Sequence, residues 1–219
     1  MKQRSGTIAC LVALSVMFGM TGVAEAQLYI NEIYFDPPGE SGDIFGEYIE
    51  LRGDPNMDLS NHYLIFLENE VPGTSNSSAD PGEIDYMFDL GALSTPRMGS
   101  NGFLTLRQAG NFYGVPGTVS EIASGTRDFV NTTSAFTWSD TSGNSSVGFS
   151  GEAGKNRLEN SGFTAMLIRN NGDPNADAPF VPFDPNAALM DLDDDDNNEL
   201  DLAGPLANWT VLDAIGVNS

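Results

Sequence analysis

Cysteine is all but missing from this chain. Its one copy, Cys10, sits inside an N-terminal apolar stretch, so residues beyond it have no thiol to share. Disulfides, thiolate metal sites and cysteine nucleophiles are thereby excluded from the body of the protein. Histidine is equally scarce. His62 is the only one, which rules out multi-histidine metal sites and Cys/His nucleophilic pairs. Basic residues number 9 against 31 acidic ones, a formal net charge of −22, and none follows Arg169. Phosphate backbones are held through Lys and Arg, so neither nucleic acid nor an anionic membrane is expected as a direct partner. No apolar run of helical period stands out, whereas Gly, Pro, Asn, Asp and Ser punctuate the whole length. An all-β fold is expected.

The N-terminus reads as a targeting segment over residues 1–26. Lys2 and Arg4 make a basic start, Ile8 to Met20 an apolar run, and Ala24-Glu25-Ala26 a small-x-small cleavage site ahead of Gln27. Cys10 lies in no good lipobox. The apolar run is short for a membrane anchor and ends in the cleavage site, so no membrane span is expected after processing. The expected location is secreted or at the cell surface. Residues 27–219 are long enough for one domain with a sizeable core.

Strand patterns follow in order. Leu28 to Tyr34 is one, closed by Asp36-Pro37-Pro38-Gly39. Glu47 to Arg52 alternates, with Glu47, Ile49 and Leu51 on one face and Tyr48, Glu50 and Arg52 on the other. Glu32 and Glu50, on neighbouring strands, are expected to be half-buried and paired with Arg52 or backbone amides. Tyr63 to Leu67 is continuously apolar, as in a central strand buried on both sides. Ile84 to Leu90, Gly102 to Arg107, Ser161 to Arg169 and Trp209 to Val217 complete the set. Residues 108–160 read as a long insertion, irregular over 108–134, with a short helix near Val119 to Ala123 and a short strand or core plug at Ala135 to Trp138. Its aromatics Phe112, Tyr113 and Trp138 either fill a core or form a sugar-binding platform.

The densest chemistry lies at 191–201, Asp-Leu-Asp-Asp-Asp-Asp-Asn-Asn-Glu-Leu-Asp, with seven carboxylates in eleven residues. Such a cluster repels itself and needs either full solvation or a cation. One register fits a compact loop for a hard cation. Asp193, Asp195 and Asn197 are alternating oxygen donors, and Asn198 takes the turn position usually given to Gly. Glu199 offers its backbone carbonyl, Leu200 anchors the loop to a core, and Asp201 closes the site. The position of the usual twelfth ligand is Gly204, so this is no complete EF-hand. A second register starting at Asp191 puts Asp196 at the turn, which is less favourable. Calcium (Ca2+) in a structural role is the expected cofactor.

Several segments carry a resemblance. Asn31-Glu32-Ile33, Glu47-Tyr48-Ile49-Glu50-Leu51 and Asp58-Leu59-Ser60 resemble the opening of a lamin tail domain of the exported bacterial type. Phe163, the acidic stretch Asp193 to Asp201, and Trp209 with Asp213 follow in the order that such domains show. His62-Tyr63 stands in place of a Gly-aromatic pair and adds a residue there. The resemblance implies an immunoglobulin-like β-sandwich that serves as a non-enzymatic surface module in adhesion or extracellular assembly. It also implies an accessory role beside exported nucleases or phosphatases, with which such domains are often fused.

Catalytic patterns give little. No nucleophile elbow accompanies His62, for which a structural or surface role is expected, and no Gly-rich phosphate loop occurs. Carboxylate pairs suited to glycoside hydrolysis are numerous, but nothing singles one out. A surface protein or a polysaccharide is the expected partner.

Overall fold

The computed structural model describes residues 27–35, 47–68, 81–108, 122–131, 149–151, 162–181, 188–195, 199–201 and 203–217. The N-terminal segment 1–26, Phe112, Tyr113, Trp138 and the strand expected at 135–138 lie outside these residues. The chain is an all-β sandwich. A four-stranded sheet runs in the order β1-β2-β5-β6, and a five-stranded sheet in the order β7-β4-β3-β8-β9. The strands are β1 Leu28–Tyr34, β2 Tyr48–Gly53, β3 His62–Glu68, β4 Ile84–Asp89, β5 Phe103–Gln108, β6 Arg127–Asn131, β7 Phe149–Gly151, β8 Phe163–Asn170 and β9 Trp209–Val217. Every pairing is antiparallel except β5 with β6.

Alternation builds the main core. Ile49 and Leu51 of β2 and Leu104 and Leu106 of β5 face Leu64 and Phe66 of β3 and Phe163, Ala165 and Leu167 of β8. Glu47 is buried on the same face as Ile49, while Tyr48, Glu50 and Arg52 are not fully buried. Phe163 holds the aromatic centre, with Phe66 at 5.5 Å and Phe35 edge-on at 5.1 Å between ring centroids. Offset and edge-on contacts are what aromatic quadrupoles favour.

β3 is buried along its whole length, as its unbroken apolar run predicts. Its other face, Tyr63, Ile65 and Leu67, joins Met166 and Ile168 of β8 in a second core. That core is closed by residues from the long β8–β9 connection: Val181, Met190, Leu192 and Leu206, with Trp209 at the start of β9. The connection therefore packs as a third layer on the outside of the five-stranded sheet. Trp209 is fixed there by an indole N–H donated to the carbonyl of Asp177 at 2.6 Å.

Three bulges shape the sheets. Asn31, Asp85 and Leu212 are each an extra residue against the partner strand, a device that bends a strand and re-aims side chains. At the open edges of the two sheets, the amide of Ile30 in β1 donates to the Asp213 carboxylate of β9 at 2.9 Å. A charged side chain thus occupies a backbone donor that would otherwise offer itself to another strand.

Asn61, directly after Ser60, takes the left-handed conformation at φ 59, which Asn tolerates better than most residues. His62 then begins the strand. Its ring is buried, with Nδ1 at 2.9 Å from the carbonyl oxygen of Ser60. The described residues of 108–160 include two strands rather than irregular chain alone: β6 extends the first sheet and β7 the second. Ile122 and Ala123, expected at the end of a short helix, carry no helical assignment. Among the described residues no helix is long and apolar enough to cross a membrane.

Candidate metal centre

The acidic loop is positioned by a small ladder ahead of β4. The amide of Ile84 donates to the Met190 carbonyl at 2.9 Å, and that of Leu192 to the Gly82 carbonyl at 3.2 Å. Glu83 and Asp191 face each other as an antiparallel bridge. Strand-like alternation then buries Met190 and Leu192 in the second core and leaves Asp191 between them only partly buried. Its carboxylate accepts from the Asp193 amide at 2.8 Å, turning the chain away from the ladder. Eight residues on, the Asp201 amide returns to the Leu192 carbonyl at 2.7 Å, and the Asp201 carboxylate accepts from the Asp194 amide at 2.9 Å. The loop is thus pinned at both ends on Leu192.

Closure brings three carboxylates together. Asp193, Asp195 and Asp201 each present an oxygen within 4.8 Å of the others. Asp193 is buried, Asp201 partly buried and Asp195 exposed, so the group opens to solvent on one side. Like charges about 4 Å apart repel by about 1 kcal/mol in water and about 4 kcal/mol at a protein surface. A divalent ion placed between them reverses that sign, and three carboxylates with room for carbonyls and water suit a hard, oxygen-seeking cation. The triad can hold a metal ion.

These are positions one, three and nine of the register that starts at Asp193. Asp191 is committed to the turn, which favours that register over the one beginning at Asp191. Asn197 and Asn198 lie outside the described residues, and Glu199 is exposed. One expectation is overturned. Leu200 is 37% exposed, and the hydrophobic anchor of the loop is Leu192, 3% exposed. Leu192 belongs to the ladder and faces the five-stranded sheet, whereas Leu200 lies on the returning arm. Sequence reasoning also missed Gly82. It sits at φ +101, and a Cβ there would lie 2.8 Å from the Asp193 Cβ. Only glycine lets the ladder and the loop approach this closely.

Several other described titratable groups make local contacts. Asp89 caps the short 3-10 turn Leu90–Ala92 through the amides of Gly91 and Ala92, while burial pushes its carboxyl up. Glu50 accepts from the Asn31 side chain at 2.6 Å rather than pairing with Arg52. Arg52 lies over the Phe103 ring at 6.0 Å, and Glu32 is exposed. Burial pushes the His62 imidazole below its ordinary value of 6.5, against an opposing hydrogen bond to the Ser60 carbonyl. With the architecture and the triad in view, comparison with known proteins finds no matching family model, no matching curated protein and no matching solved structure.

Proposed function

We infer that the protein is an exported, non-enzymatic interaction module whose acidic loop takes a structural calcium ion. The convergence of Asp193, Asp195 and Asp201 carries this reading. Calcium fits because it accepts six to eight oxygens in flexible geometry and because an exterior environment supplies it freely. Asn197 and the Glu199 carbonyl would add ligands in the same register. The ion would fasten the third layer, since the triad is tied through Leu192 to the second core. A ligand that binds only the folded state stabilises it by RT ln(1 + [L]/Kd), about 2.7 kcal/mol at a hundredfold excess over Kd.

A lamin-tail type of immunoglobulin-like sandwich is the finer fold proposed. Its support is the two-sheet architecture, the buried Glu47-x-Ile49-x-Leu51 face and the left-handed turn after Asp58-Leu59-Ser60. Secretion rests on the N-terminal segment, and adhesion or extracellular assembly on the acidic, punctuated surface. Calorimetric titration tests the cation. Calcium should give a saturable heat that Asp193→Ala/Asp195→Ala abolishes; no heat at millimolar calcium would remove the ion from the account.

A further inference from the structure

The outer face of the four-stranded sheet holds a second site, on the far side of the sandwich from the triad. A groove of about 490 Å³ lies over β2 and β5, walled by the Ile122–Thr126 loop before β6. A neighbouring depression of about 710 Å³ shares Asn31, Asn101 and Phe103 with it, so the two are contiguous. The first is within the range of about 300–1,000 Å³ usual for ligand pockets.

Its floor is polar, and its basic side chain, Arg107, is already paired. Thr105, only 6% exposed, donates its hydroxyl to Asp128 at 3.0 Å. Arg107 gives the same carboxylate two N–H bonds, at 2.8 and 2.6 Å. The bulge at Asn31 turns its amide onto Glu50 at 2.6 Å. Burial of Glu50 pushes its carboxyl up, against the opposing hydrogen bond from Asn31. On either side of this strip stand the rings of Tyr48 and Phe103, both part-exposed.

That composition selects among ligands. An anion meets a chain of net charge −22 and a floor whose Arg107 is already paired. A purely apolar ligand would strand the polar floor without water or partners. A peptide adding as a strand needs a free sheet edge, whereas the groove crosses the sheet's middle. A neutral sugar satisfies both parts: its C–H faces lie on aromatic rings and its hydroxyls reach planar amide and carboxylate groups. We propose that this groove binds a neutral polysaccharide, with Tyr48 and Phe103 as stacking walls and Asn31 and Glu50 as hydroxyl partners.

Affinity electrophoresis of the purified protein tests it, in gels containing mixed-linkage β-glucan, galactomannan, amylopectin or arabinoxylan, with polygalacturonate as the charged control. At least one neutral polymer should retard the protein. Tyr48→Ala and Phe103→Ala should each weaken that retardation about tenfold or more, with an unchanged melting temperature. Glu50→Gln and Asn31→Ala alter the hydrogen bonds without removing a ring and carry the test if a ring variant fails to fold. Asp193→Ala/Asp195→Ala should retain binding, which separates this site from the cation. No retardation by any of the four neutral polymers, retardation by polygalacturonate alone, or wild-type retardation of all four groove variants would overturn the proposal.

Discussion

At the scale of single residues, Gly82 is where backbone conformation and site geometry meet. Its φ of +101 suits glycine, and any Cβ would press within 2.8 Å of the Asp193 Cβ. Gly82→Ala should therefore cost about 1–3 kcal/mol in urea denaturation, and should weaken cation binding by displacing Asp193. An unchanged midpoint would mean that the two segments do not approach as described. His62 gives a second prediction, which concerns pH. Burial favours the neutral imidazole, so the folded value lies below 6.5. The unfolded chain then binds more protons over the interval between the folded value and 6.5. Stability from this group is complete above pH 6.5 and is lost as pH falls through the folded value. The chain has one histidine, so its ring proton resonances report it directly by NMR. A midpoint below 6.5 is expected; one at or above 6.5 would contradict the burial.

Among the elements, strands with strong patterns were legible, including the edge strands β1 and β9, while the short edge strands β6 and β7 were not. β1 and β9 begin and end where apolar runs and turn residues place them, and β3 is buried on both faces as its unbroken run implies. β6 escaped notice because Arg127-Asp128-Phe129-Val130-Asn131 has no long alternation, and its place depends on a parallel neighbour distant in sequence. β7 is three residues long and too short for any periodicity. The clustering of Asp193, Asp195 and Asp201 was legible, since they lie close together in sequence. The loop's anchor was not, because Leu192 and Leu200 both flank aspartates and only pairing with residues 82–84 tells them apart. Leu192→Ala should cost about 2–5 kcal/mol by opening the second core, while Leu200→Ala should stay within about 0.5 kcal/mol. Equal effects in denaturant titration would return the anchor to Leu200.

For the whole molecule, the account is a two-sheet sandwich with different chemistry on its two outer faces. One face carries a polar groove with aromatic walls. The other is roofed by the β8–β9 connection, which supplies four of the eleven buried residues of the second core and all three carboxylates of the triad. With a formal charge of −22, self-repulsion works against the compact state, and it is concentrated where that roof must close. A cation bound at the triad would offset it locally and would couple loop closure to the stability of the fold.

That coupling is tested most directly by thermal melting of the protein in EDTA and across a calcium series. The account predicts a midpoint that rises and saturates with calcium in the wild type and stays flat in Asp193→Ala/Asp195→Ala. A wild-type midpoint unmoved by millimolar calcium, or a rise of equal size in the double variant, would contradict it.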